Sequence, residues 1–117
     1  MLRSPLESPS SMNHFTNKDG YNAIGSQPIW TFKAYQPLAK HHPVGAYFTT
    51  YPPTEPNLAK KLYVPKEKLS HMFSFSPPRD LVPLPGGRGR LERIFYSPTD
   101  YLVPGENQDG HGPTGIL

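Results

Sequence analysis

The sequence predicts an α+β domain with a largely antiparallel sheet and one or two short helices. Three observations carry this reading. Helix signals are confined to two short stretches in the first half. The other apolar residues fall in short β-branched and aromatic runs. Proline and glycine cut the chain between those runs, with 16 and 10 copies in 117 residues, which leaves no room for long helices.

Met12 to Thr16 is a mixed run that suits a first strand. Asn17 has the side chain of an N-cap, and Tyr21 and Ile24 give a helical repeat over residues 18–24. Gly25-Ser26-Gln27-Pro28 closes that helix. Ile29-Trp30-Thr31-Phe32 is β-branched and aromatic, as a strand requires. Pro37 and Pro43 exclude a long helix between them. Residues 44–51 read as a strand that stops at Pro52-Pro53. Residues 55–62 are expected to form a short helix, with Thr54 as its cap and Pro56 in its first turn. Phe73 and Phe75 alternate within residues 69–76, so that strand has one apolar face, and Pro77-Pro78 ends it. Gly86-Gly87-Arg88-Gly89-Arg90 is a flexible basic loop and residues 91–96 another strand. Ser97-Pro98-Thr99-Asp100 is a turn, and residues 105–115 form a polar, glycine-rich tail.

Composition bounds the domain count and the class. Proline plus glycine amounts to about 22%, short of the roughly 25–30% that marks low complexity. Seven Tyr, six Phe and one Trp are more aromatic residues than disordered chains carry. Residues 12–117 are therefore expected to form one folded domain. Residues 1–11 are Ser/Pro-rich, lack the apolar segment of a signal peptide, and are expected to be a disordered linker. A net charge of +3 and a pI of about 9.2 suit a phosphate-bearing ligand or a nucleic acid. The chain has no cysteine, which excludes disulfides and thiol catalysis. No apolar run approaches the roughly 20 residues of a membrane span, so no membrane insertion is expected.

The commonest nucleotide-binding signatures are missing. There is no Gly-Lys-Ser/Thr phosphate loop, and the glycines near Arg88 precede a strand rather than opening a helix. The histidines His14, His41, His42, His71 and His111 show no metal-ligand spacing, so no metal is expected.

Three segments remain. The first runs from Asn13-His14-Phe15-Thr16 through the capped helix to Ile24. The second is Val44-Gly45-Ala46-Tyr47-Phe48-Thr49, followed by Pro52-Pro53. The third is Arg93-Ile94-Phe95-Tyr96-Ser97-Pro98-Thr99-Asp100-Tyr101-Leu102. In order and spacing they resemble the motifs of the ADP-ribosyltransferase toxin domains named for a His-Tyr-Asp signature, of the polymorphic-toxin type. The departure from that pattern is Phe15, where the family shows Tyr.

The resemblance implies a small split antiparallel sheet with NAD as substrate, held in a cleft between two sheets. It implies that His14 bonds the adenosine ribose and that the Phe15 backbone holds the nicotinamide carboxamide. Tyr47 would stack on the nicotinamide ring. Thr16 and Thr49 complete the implied NAD-binding set, and Thr49 would bond the carboxamide or a ribose. Cleavage of the nicotinamide–ribose bond passes through an oxocarbenium-like state, whose charge a carboxylate offsets. Asp100 is the first choice for that carboxylate, with Glu106 and Asp80 as rivals. His14, Tyr47 and Asp100 thus form the expected catalytic set.

The acceptor implied is a protein, a nucleic acid or water; with water the enzyme is an NAD glycohydrolase. Pro98, two residues before Asp100, offers no side-chain hydrogen bond, which argues against arginine as the acceptor. Arg88, Arg90 and Arg93 would steer a phosphate-rich acceptor or the NAD pyrophosphate. Secretion or delivery into a target-cell cytoplasm and a cognate immunity protein are implied as well. Two alternatives come from composition alone. One is a non-enzymatic, Pro- and aromatic-rich interaction protein that orders on a large partner. The other is a basic RNA-binding module.

Overall fold

The computed structural model describes residues 10–37, 42–84 and 93–116. Most of the expected linker, His41, and the basic loop with Arg88 and Arg90 lie outside the described residues. In chain order come β1 (Met12–Thr16), α1 (Lys18–Gly25), β2 (Trp30–Phe32), β3 (Ala46–Thr49), α2 (Leu58–Leu62) and a 3₁₀ helix (Lys66–Leu69). Then follow β4 (His71–Phe75), β5 (Val82–Pro83), β6 (Ile94–Ser97), β7 (Tyr101–Val103), a 3₁₀ turn (Gly105–Asn107) and β8 (Gln108–Pro113). The fold is α+β, and the registered strand pairs are antiparallel. Six strands form one sheet in the order β5-β6-β3-β1-β4-β8, and β2 pairs with β7 in a second, two-stranded sheet.

Local chemistry explains the start of the chain. Asn17 Oδ1 accepts the Gly20 N–H at 2.8 Å and caps α1. Gly20 permits the tight turn from β1 into α1, because a Cβ there would lie 2.2 Å from Thr16 Oγ1. Tyr21 and Ile24 then point α1 at the core. Alternation along the strands puts Met12, Phe48, Phe73 and Phe75 on one face of the large sheet, where Trp30, Phe32, Tyr101 and Val103 of the small sheet cover them. Side chains of this size contribute roughly 1.5–3 kcal/mol each when buried. Phe15 takes the other face and packs with Tyr51, Leu58 and Leu69 in a second cluster.

Two expectations need correction. The helix begins at Leu58, not Glu55. Proline disfavours helical backbone in the residue before it, which is Glu55, and Asn57 is left-handed (φ 57°); Thr54 therefore caps nothing. The glycine-rich tail also contains strand β8. Its residues give no apolar alternation, and its register comes from backbone pairing with β4, from His71 opposite Pro113 to Phe75 opposite Gln108.

The large sheet is nearly two sheets. β1 pairs with β4 over five residues, Met12 opposite Phe75 to Thr16 opposite His71. β3 pairs with β6 over four, Ala46 opposite Ser97 to Thr49 opposite Ile94. Between β1 and β3 the register holds a single pair, Asn13 opposite Thr49.

Candidate functional site

Beyond Asn13 the strands β1 and β3 part, and side chains replace the missing ladder. Asn13 Nδ2 donates to the Tyr51 carbonyl at 2.9 Å, and Asn13 Oδ1 accepts from Ser74 Oγ at 2.7 Å. His14 Nδ1 donates to the Tyr47 carbonyl at 3.0 Å. A carbonyl has no proton to give, so that bond places the imidazole proton on Nδ1 and leaves Nε2 as an acceptor. Nε2 has no hydrogen-bond partner among the described residues.

A cavity of about 380 Å³ opens at the parting, within the range of small-molecule sites. Its walls come from both strands, with Tyr35 and His42 at one side and the segment after α2, Tyr63 to Pro65, at another. Gly45 sets the width of one wall. A Cβ there would lie 2.6 Å from the Ser97 carbonyl oxygen and 2.8 Å from Tyr96 Cδ2. Without it, β3 lies against β6 and the Tyr96 ring stacks on Tyr47, with centroids 5.5 Å apart at 20°. Tyr35 completes the group, edge-on to Tyr47 at 6.1 Å. Backbone bonds in both directions between Tyr35 and Gly45, each 3.0 Å, hold it there.

Burial decides the protonation states. It pushes the His14 imidazole down to about 4, against the favourable Tyr47 carbonyl and helped by the Lys68 charge. His14 is neutral at pH 7. Burial and the neighbouring Tyr96 and Tyr35 push the Tyr47 phenol up to about 12. Tyr47 therefore keeps its proton, which it donates to the Pro43 carbonyl. Neither residue is poised to shuttle protons near neutrality.

The cavity brings together five of the residues expected from sequence: His14, Phe15, Thr16, Tyr47 and Thr49. It lies where the large sheet divides, not between the large and small sheets. The Thr49 hydroxyl is already engaged, donating to the Arg93 carbonyl at 2.6 Å and accepting from the Tyr51 N–H at 3.1 Å. Arg93 is held too, by Nε to Thr50 Oγ1 at 2.7 Å and by Nη2 to the Thr50 carbonyl at 2.8 Å, with its guanidinium over the Tyr51 ring. Asp100 is not among the described residues lining the cavity. It sits in the turn between β6 and β7, and its Oδ1 accepts the Ala34 N–H at 2.8 Å. Asp80 and Glu106 do not line the cavity either. Among the described residues no cluster of three or more His, Asp or Glu could hold a metal, and no helix is long and apolar enough to cross a membrane.

Sequence reasoning passed over Asn13, Tyr35, His42, Tyr63, Tyr96 and Lys68. Asn13 adjoins His14 and carried a weak signal, a polar amide inside a strand. Tyr35, Tyr63 and Lys68 lie in segments without a motif, and only folding brings them to the cavity. Tyr63 is left-handed (φ 58°) at the end of α2, an uncommon state for a bulky residue.

Together the fold and the cavity define a small α+β domain whose sheet is divided around one concave site. No known protein family, characterised protein or solved structure matches the chain.

Proposed function

We propose that this chain is an NAD-cleaving toxin domain of the ADP-ribosyltransferase type. The observation that carries the reading is the parting of β1 and β3 beside His14, with Tyr47 on the facing strand and one cavity between them. A carboxamide needs one donor and one acceptor, and the open edge of a strand offers both. Residues 14–16 of β1 are such an edge, since the ladder to β3 stops at Asn13. The neutral His14, with its acceptor Nε2, suits a ribose hydroxyl as donor. Tyr47 supplies a flat ring for the nicotinamide.

In this reading His14, Phe15, Thr16 and Tyr47 hold NAD, and Thr49 acts by holding the strand rather than by touching ligand. Asp100, the carboxylate expected from the sequence, lies off this cavity on the Ala34 N–H, so the oxocarbenium charge is assigned to no carboxylate among the described lining residues. The ADP-ribose acceptor is a macromolecule or water. Delivery into a target cell and an immunity protein that plugs the cavity belong to the same proposal.

The test is incubation with NAD labelled in the nicotinamide, with and without target-cell lysate, beside the His14→Ala and Tyr47→Ala variants. Nicotinamide release that both variants lose is the expected result. No release under any condition overturns the proposal. Release without transfer of label from the ADP-ribose half assigns water as the acceptor.

A further inference from the structure

The two faces of the large sheet are covered by segments of different charge. Beside α1 and the small sheet, Lys18, Lys33 and Arg79 are offset by Asp19, Asp80 and Asp100. The other face is covered by α2 and the 3₁₀ helix. Leu58, Leu62, Val64 and Leu69 pin that segment to Phe15 and Tyr51. Lys60, Lys66 and Lys68 are left exposed on it. Arg93 joins them, also exposed, with its guanidinium over the Tyr51 ring. The carboxylates of residues 55–69 are Glu55 and Glu67, and Glu55 is paired with Lys61 at 2.5 Å. Lys60, Lys66, Lys68 and Arg93 make no ion pair among the described residues. This cover is therefore a basic surface with an apolar underside.

The basic surface leads to the mouth of the cavity. Leu62 to Pro65, between the exposed lysines, form one of its walls, and Lys68 lines it too. No described lining residue is Asp or Glu. Tyr35, Tyr47 and Tyr63 line it as well, and Tyr35 is 44% exposed. Cations that track a backbone and aromatic rings that take a base are the two parts of a single-strand site. Four cations on two chain segments suit phosphates repeated along a polymer. An acidic peptide would meet the same charge but leave the rings unused. A duplex keeps its bases stacked, out of reach of a ring in a concave site.

We propose that Lys60, Lys66, Lys68 and Arg93 bind a single-stranded nucleic acid, with phosphates on the cations and a base against the tyrosines at the cavity mouth. The inference goes beyond the NAD reading and stands without it. Three or four phosphate contacts to a single strand give a slope of log affinity against log salt of about −2 to −3. That is a loss of roughly 20- to 50-fold between about 50 and 200 mM salt.

The experiment is fluorescence anisotropy of labelled oligouridylate and oligothymidylate with the full chain, over a salt series. The competitors are a duplex of the same length and an oligoglutamate of equal charge. Nicotinamide release from NAD is measured on the same preparation. The single strands should bind with the slope given. Replacing Lys60, Lys66 and Lys68 together by Gln should flatten that slope by about 2. Tyr35→Ala should weaken binding roughly tenfold at every salt concentration and leave the slope unchanged. Lys18→Gln with Lys33→Gln, on the opposite cover, should bind as the unmodified chain does. All the lysines replaced are exposed, so thermal melting should be unaltered. No binding of either oligonucleotide overturns the inference, as does an equal loss in the Lys18/Lys33 variant, which would reduce the effect to net charge. Oligoglutamate competing as well as the single strands assigns the surface to an acidic peptide instead, and a duplex competing as well overturns the single-strand assignment. Nicotinamide release without oligonucleotide binding overturns this inference and leaves the proposed function standing. Oligonucleotide binding without release upholds it and sinks the NAD reading.

Discussion

His14 should make this domain acid-sensitive in a defined window. Burial holds its folded pKa at about 4, and the unfolded chain has the ordinary 6.5. Above pH 6.5 the imidazole is neutral in both states and contributes no pH dependence. Between 6.5 and 4 the unfolded chain binds a proton that the folded chain refuses, so stability falls as pH falls. The slope is about 1.4 kcal/mol per pH unit. Across the window the loss is roughly 3 kcal/mol, reduced to roughly 2 if solvent in the cavity screens the ring. That is a large share of the 5–15 kcal/mol typical of a domain. Other groups titrate in the same range, so the comparison must be with His14→Asn. Its amide Nδ2 can replace Nδ1 as donor to the Tyr47 carbonyl, and it carries no charge. Urea unfolding at pH 7, 5.5 and 4 measures the difference. The unmodified chain should lose about 2–3 kcal/mol more than His14→Asn between pH 7 and 4. Parallel pH profiles would show that His14 is not desolvated in the folded state. The same depressed pKa means that ligand binding through the neutral imidazole should persist to about pH 5, not fail near 6.5.

Three further outcomes follow from the contacts. Gly45→Ala forces a Cβ against the Ser97 carbonyl, where backbone cannot step aside. It should cost about 1–3 kcal/mol by thermal melting and weaken NAD binding in calorimetry by disturbing the Tyr47–Tyr96 stack. Asp100→Asn keeps an acceptor for the Ala34 N–H, whereas Asp100→Ala leaves that bond unmade at a cost of about 1 kcal/mol. If Asp100 supplies charge to the reaction, both variants lose nicotinamide release; release retained in Asp100→Asn would limit Asp100 to positioning. Thr49→Val leaves the Tyr51 N–H without its acceptor and removes one of two donors to the Arg93 carbonyl, which keeps the Thr50 N–H at 3.2 Å. It should destabilise by roughly 1–3 kcal/mol in urea unfolding with little change in NAD affinity per folded molecule.

The sequence alone determined the elements whose signals are local. Asn17, Gly20 and the Tyr21–Ile24 repeat specify α1 without help from the rest of the chain. The alternation of Phe73 and Phe75 specifies which face of β4 is buried, and the prolines mark where strands end. That His14 and Tyr47 share a site is what the family resemblance implies; in the structure His14 Nδ1 donates to the Tyr47 carbonyl. Tertiary structure decided what depends on register and on distant backbone. β8 has no side-chain pattern and exists because β4 offers it a ladder. The start of α2 moved to Leu58 because Asn57 adopts a left-handed state that no neighbouring residue announces. The cavity itself is a tertiary product. One registered pair between β1 and β3 leaves an open edge, and Tyr35, Tyr63 and Lys68 reach it from segments with no local signature. Asp100 shows the same limit, since nothing along the chain reveals that its carboxylate would be taken up by the Ala34 N–H, 66 residues away.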